Sequence, residues 1–410
     1  MTRARVLICA PIGDGSSGGT QTVALGLASG FRQLGDVGLD LSWFALAGKD
    51  DWLLPELPEG TEVIHARDLG VGTRAAGFAA RRVGAIAEML PGGSFWFPPK
   101  WARGSSVQPL ELDFDLVHFV TQGTFYTGGI PFIYQPHDLQ HEHYPEYFSG
   151  MELALRRMRY GANIRSATMT VVASRYIADD VERIYPQRKG PISVIPLAPI
   201  QLPESPTSAA WTASLPDQFA FYPAAAWPHK NHETLFRAIS LLRDRGIRVP
   251  LVLTGAKAGR VDLEELAQRF GVDDLVTHLG FVSPTELSLL YSRATVTVIP
   301  TLYEAGSFPM FEAFSKGCPV VASAVCSLPQ QAAEAAMLFN PYDSNDLAEQ
   351  LAKVWTDRSS QVWLRAAGLR RAEKFTWAAT AQGYAAAYRQ ALRLPPTVDD
   401  IVWREGHARF

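Results

Sequence analysis

Residues 295–323 read TVTVIPTLYEAGSFPMFEAFSKGCPVVAS, and the order of residue types in this stretch decides the fold. Val296, Val298 and Ile299 form a short β-branched run of the kind that makes a buried parallel strand. Pro309 suits the first position of a helix and Gly317 its end, so PMFEAFSKG reads as a short helix. Val320 and Val321 in PVVAS then open the next strand. Between strand and helix lies Ala305-Gly306-Ser307-Phe308, a loop whose backbone amides would be presented bare. Glu304 stands on that loop and Glu312 in the first helical turn. Two such carboxylates could act as general acid and base in a hydrolase. Alternatively, Glu312 meets the helix dipole and pairs with Lys316 one turn on.

The same alternation extends outward. Upstream come the strand FAFYPA, the helix HETLFRAISLLRDRG, the strand VPLVLTG, the helix DLEELAQRFG, the strand VTHLG and the helix SPTELSLLYSRA. Two helices near 344–358 and 359–373 follow downstream. A second series occupies residues 1–200, opening with RVLICAPI, the glycine-rich GDGSSGGT and the helix QTVALGLASGFRQLG. GLDLSWFAL, EVIHA, LVHFV, FIYQ and TMTVVAS read as further strands, with helices over 73–90 and 151–163. Ser174 can cap a helix over RYIADDVERIY. Residues 201–218, QLPESPTSAAWTASLPDQ, have the composition of a linker. The last helix, TWAATAQGYAAAYRQALRL, carries aromatics that need burial, so residues 376–410 are expected to pack back on the first domain. The expected architecture is α/β: two Rossmann-like, doubly wound parallel-sheet domains, 1–200 and 219–375, facing across a cleft.

Composition bounds the function. A chain of 410 residues with 47% apolar and 19% charged residues supports two globular cores and excludes a disordered chain. A net charge of -3 offers no broad attraction to nucleic acid or an anionic membrane. Cys9, Cys318 and Cys326 lack metal-site spacing and read as buried, reduced thiols of a cytoplasmic protein. The N-terminal apolar run is too short for a signal peptide or a membrane span. Lysine occurs only at 49, 100, 189, 230, 257, 316, 353 and 374, which gives weight to any lysine in a motif.

In open α/β sheets ligands bind beyond the carboxyl ends of the strands, and three further loops there carry candidate chemistry. Gly13-Asp14-Gly15-Ser16-Ser17-Gly18-Gly19 satisfies G-x-G-x-x-G, which admits an NAD-dependent oxidoreductase. Against that reading, LDLSWFAL ends without an obvious acid for a ribose hydroxyl. Gly18 and Gly19 would equally let backbone amides approach another phosphate ligand, or make a plain tight turn. Pro136–His143, PHDLQHEH, invites a metal reading, but Pro136 and Pro145 leave too little room for a stable helix that would align His137 with His141. His137 then either hydrogen-bonds a substrate or is a structural loop histidine. In Trp227-Pro228-His229-Lys230-Asn231-His232 the rare Lys230 suits a phosphate, the alternative being a solvated surface lysine.

Together these residues resemble the retaining GT-B enzymes of glycosyltransferase family 4. The resemblance runs from about Arg5 to Tyr388 and is most specific in YEAGSFPMFEAFSKGCPVVAS, which is similar to the family's Glu-x7-Glu signature. It implies a nucleotide diphosphate sugar as donor, with no cofactor or obligatory metal, and a hydroxyl of a glycan, glycolipid or small molecule as acceptor. It implies that Glu312 holds the nucleotide ribose, Lys230 the diphosphate, and Gly18 and Gly19 the donor phosphates or acceptor. Glu304 and the amides of Ala305, Gly306, Ser307 and Phe308 would contact the donor sugar, and His137 would face its reacting carbon. Two departures stand out. Ala224, Ala225 and Ala226 occupy the turn where the family has an arginine, a place His229 or a distant arginine could fill. Ala305-Gly306-Ser307-Phe308 replaces the usual glycine and phenylalanine. A non-catalytic sugar-nucleotide or glycan-binding protein is therefore a further alternative. The aromatic loop Phe95–Trp101 could wall an acceptor, and Arg74, Arg81 and Arg82 on helix 73–90 could make a peripheral membrane contact.

Overall fold

The computed structural model describes residues 3–13, 19–46, 48–65, 113–124, 127, 129–204, 215–256 and 261–407. Helix 73–90, the loop 95–101, most of the glycine-rich loop including Gly18, and residues 205–214 lie outside the described residues. The chain divides into two compact units, residues 1–197 with 376–410, and residues 198–375.

The first unit is built on a seven-stranded sheet: β1 (Arg5–Cys9), β2 (Asp40–Ala45), β3 (Val63–His65), β4 (Leu116–Phe119), β5 (Phe132–Tyr134), β6 (Met169–Val172) and β7 (Ile192–Val194). The spatial order is β3-β2-β1-β4-β5-β6-β7 and every pairing is parallel. Residues such as Val6, Leu7, Ile8, Leu116 and Val117 are fully buried, as continuous apolar strands covered on both faces require. The chain leaves β1 towards β2 and later returns to its other side as β4, so the order reverses between β1 and β4. Ser174 caps helix Arg175–Ile184, its Oγ accepting from the Ile177 amide at 3.4 Å. Helix Trp377–Ala391 lies against helix Gly19–Leu34. The contact depends on glycine: a Cβ on Gly26 would fall 1.9 Å from the Trp377 ring, and one on Gly30 2.3 Å from the Trp377 carbonyl oxygen.

The second unit has a six-stranded parallel sheet: β8 (Ala220–Pro223), β9 (Leu251–Thr254), β10 (Val276–His278), β11 (Val296–Ile299), β12 (Val320–Ser323) and β13 (Met337–Phe339). Its order, β10-β9-β8-β11-β12-β13, reverses between β8 and β11. Leu235, Phe236, Ile239 and Leu242 of helix His232–Asp244 pack with Leu251, Leu253, Val296 and Val298 in one core. Helix Phe308–Ser315 begins one residue before Pro309 because Ser307 caps it, accepting from the Met310 amide at 3.3 Å. Glu312 therefore stands in the second turn rather than the first. Gly317 ends the helix at φ 65°, in the left-handed region. Strand β13 and the helices Leu328–Ala332 and Val398–His407 had no separate signal in the sequence reading. Cys9 and Cys318 are buried as expected, but Cys326 is only half-buried, at φ 51° in the loop after β12. No helix among the described residues is long and apolar enough to cross a membrane.

Candidate functional site

The reversal between β8 and β11 defines where a ligand belongs in the second unit, since the two loops leaving these strands diverge from a common crevice. Those loops carry Lys230 and Glu304, and they are tied together. The His229 carbonyl accepts from the Leu302 amide at 2.8 Å and lies 2.9 Å from Thr301 Oγ1. Asn231 sits at φ 56°, ψ 43°, a left-handed conformation that asparagine tolerates better than most residues. There its side-chain amide donates to the carbonyls of Pro300 at 2.9 Å and Pro341 at 3.0 Å, bridging the ends of β11 and β13. Tyr222 Oη, from β8, donates to the Lys230 carbonyl at 3.0 Å.

On this braced backbone Lys230 Nζ lies 2.7 Å from Glu304 Oε2, with side chains only 20% and 15% exposed. The Glu304 carbonyl accepts from Ser327 Oγ at 2.9 Å. Lys230 is thus a partly buried, paired cation and not a solvated surface lysine. Glu312 is buried, and its Oε2 accepts a hydrogen bond from Tyr291 Oη at 2.8 Å. Burial pushes this carboxyl up to about 7, the tyrosine hydrogen bond opposing only part of the shift. The pairing of Glu312 with Lys316 does not form, because Lys316 Nζ donates instead to the carbonyls of Leu202 and Pro203 at 3.2 and 2.9 Å.

The loop before helix Phe308–Ser315 is not wholly bare. Ser307 is buried, and its amide donates to Gln331 Oε1 at 3.0 Å; Ala305 is buried as well. Gly306 and Phe308 are half-buried beside them. Neither neighbouring histidine replaces the absent arginine as a cation. Burial, reinforced by Lys230, brings the imidazoles of His229 and His232 down to about 3, so both are neutral near pH 7.

In the first unit, Gly19 opens helix Gly19–Leu34 after β1. His137 follows β5, and its Nε2 is 2.6 Å from the Val120 carbonyl at the end of β4. A carbonyl can only accept, so Nε2 carries the proton and Nδ1 is the acceptor of the neutral ring. Burial lowers its pKa, which keeps it neutral. The other histidines of that loop turn to separate surroundings. His141 is buried against Tyr160, ring centroids 4.6 Å apart, and His143 bonds Asp180 at 2.5 Å. Gln140–His143 is a single helical turn that excludes His137, so the alignment a metal reading needed does not arise. Asp50, which follows β2 by a few residues, is buried and bonded to His65 at 2.6 Å.

Four residues of this framework escaped the sequence reading: Asn231, Tyr291, Ser327 and Gln331. Asn231 carried a local signal, an asparagine directly before a helix. Tyr291 lies within SPTELSLLYSRA without being singled out there, and Ser327 and Gln331 belong to none of the stretches read for chemistry.

Two family models cover most of the chain. Residues 17–198 match "Glycosyltransferase Family 4" and residues 207–371 match "Glycosyl transferases group 1". The O-antigen chain mannosyltransferase B of Escherichia coli is 27% identical over 254 residues, 59% of this chain. The matched stretch spans 65% of that protein, just under two thirds of its length. Among solved structures, the sucrose-phosphate synthase of Thermosynechococcus elongatus superposes with a TM-score of 0.67 at 21% identity, covering 95% of this chain and 100% of the other. Anabaena Alr3699/HepE, in complex with UDP and glucose, gives 0.65 at 19% identity, with 95% and 100% covered. The chain belongs to glycosyltransferase family 4 and has the GT-B fold.

Proposed function

We propose that the protein is a retaining hexosyltransferase that moves a hexose, such as mannose or glucose, from a nucleotide diphosphate sugar to a hydroxyl of a glycan, glycolipid or small molecule. The observation that carries this reading is the pairing of Lys230 with Glu304 at the β8/β11 reversal, where an anionic ligand would meet the one and sugar hydroxyls the other. Lys230 binds the diphosphate and offsets the charge that develops on it as the glycosidic bond breaks. Glu312 accepts from the ribose hydroxyls while Tyr291 Oη donates to its Oε2. Glu304 and the loop Ala305–Phe308 position the hexose, and His137, through its neutral ring, faces the sugar. Gly18 and Gly19 let the first unit's backbone approach the donor phosphates. With His229 neutral, Lys230 is the cation that this turn supplies. The E. coli mannosyltransferase relative favours mannose as the hexose.

A thermal-shift panel of UDP, GDP and TDP sugars beside NAD tests the class. One sugar nucleotide should stabilise the protein selectively, and Lys230→Ala should weaken that ligand about tenfold or more while leaving the melt cooperative. Saturable NAD binding without any sugar-nucleotide response would reject the reading. Binding without turnover against glycan, glycolipid and small-molecule acceptors would point to a carrier instead.

A further inference from the structure

The two roles just assigned compete for one contact. An ammonium 2.7 Å from a carboxylate directs a proton at it and loses much of its field at any third group. A diphosphate that approaches Lys230 therefore also approaches the negative charge of Glu304. The backbone cannot relieve this by drawing apart, because Tyr222 and Asn231 fix the lysine loop, and Thr301, Leu302 and Ser327 fix the glutamate loop. Neither His229 nor His232 adds a compensating cation, since burial keeps both neutral.

We propose that Glu304 discriminates between donor and product by competing with the diphosphate for Lys230 whenever no hexose occupies it. This rests on the assignment of Lys230 to the diphosphate and Glu304 to the sugar. With the intact donor, hexose hydroxyls donate to the Glu304 carboxylate and satisfy its lone pairs, and Lys230 turns to the phosphates. Once the hexose has been transferred, the carboxylate loses those donors and reclaims Lys230. The nucleoside diphosphate then faces an anion and a partly neutralised cation, and it leaves. The coupling is reciprocal: sugar on Glu304 strengthens phosphate binding at Lys230, and phosphate at Lys230 frees Glu304 for sugar.

Calorimetric titration of the full chain with UDP, GDP, UDP-glucose and GDP-mannose separates this inference from the assignment beneath it. In Glu304→Gln the shape remains and the competing charge is gone. The free diphosphate that binds the wild type should bind this variant about tenfold tighter, and its sugar nucleotide more weakly, so that the preference for donor over product collapses. Diphosphate affinity that is unchanged or weaker in Glu304→Gln overturns the inference, while loss of diphosphate binding in Lys230→Ala still supports the assignment. Unaltered diphosphate binding in Lys230→Ala overturns both. Should Glu304→Gln lose its cooperative melt, Glu304→Asp, which keeps the charge but withdraws it by one methylene, should show a smaller gain in the same direction. Its absence counts equally against the inference.

Discussion

Glu312 is buried, with Tyr291 as the one hydrogen-bond donor to its carboxylate among the described residues, and burial raises its carboxyl to about 7. Ribose hydroxyls would add donors that favour the ionised form, so nucleotide binding should lower this pKa and release a proton. The sign follows from linkage: affinity should rise as pH increases from about 6 towards 8 and then level off above the free-protein pKa. Calorimetry in buffers of different ionisation enthalpy would detect the released proton, and Glu312→Gln should bind more weakly and lose the pH dependence. An affinity that is flat across this range in the wild type would contradict the assignment. For stability the same shift acts in the opposite sense, since a raised carboxyl contributes most below its unfolded pKa and the contribution is lost as pH rises through about 7.

At the scale of elements, the helix pairing in the first unit leaves no space for a side chain at Gly26 or Gly30. Gly30→Ala would place a methyl group against the backbone of Trp377, which a rotamer change cannot relieve. The expected cost is about 1–3 kcal/mol, read as a lower denaturation midpoint at unchanged m-value. The neighbouring turn is held by a buried ion pair, Arg389 NH1 to Asp400 Oδ1 at 2.7 Å, with Gln382 and the Thr397 amide also donating to Asp400. Asp400→Ala should cost about 3–5 kcal/mol by leaving the guanidinium buried without its counter-charge. Arg389→Met combined with Asp400→Leu should recover only part of that loss, because no charge is then left unpaired but Gln382 and the Thr397 amide lose their acceptor. Helix starts were largely local: Ser174 was readable as a cap, and Pro309 with Gly317 nearly bounded their helix. The one-residue difference at Phe308 arises because Ser307 supplies the cap and moves Pro309 to the second helical position.

At the scale of the molecule, burial keeps several histidines neutral. His118, His229 and His232 are all brought down to about 3 by desolvation. Groups with depressed folded-state pKa values stabilise fully above their unfolded value, near 6.5, and the contribution is lost as pH falls towards the folded value. Each histidine adds up to about 1.4 kcal/mol per pH unit in that window. Unfolding midpoints should therefore fall steeply from pH 6.5 to 4.5, with proton uptake on unfolding. A melting temperature constant over that interval would show that these imidazoles are not neutral and buried.

Much of this molecule was readable in the chain because the deciding interactions are local or periodic. Apolar runs such as VLIC and VTVI must be covered on both faces, which makes them central parallel strands, and strand–helix alternation then leads to two doubly wound sheets. Glu304 and Lys230 could be singled out by position, since each lies in a loop after a strand, and Glu312 by its spacing from Glu304. What they touch could not be read. Lys230 and Glu304 are separated by three helices and by strands β9 and β10, and only the reversal of strand order brings their loops side by side. Sequence spacing left Glu312 a choice between Lys316 and a ligand. Packing removed the first by pointing Lys316 at the Leu202 and Pro203 carbonyls, and set Tyr291 beside the carboxylate. Periodicity and propensity act within a few residues and are written in the sequence. Charge pairing and desolvation act through space, so only the tertiary structure decides them.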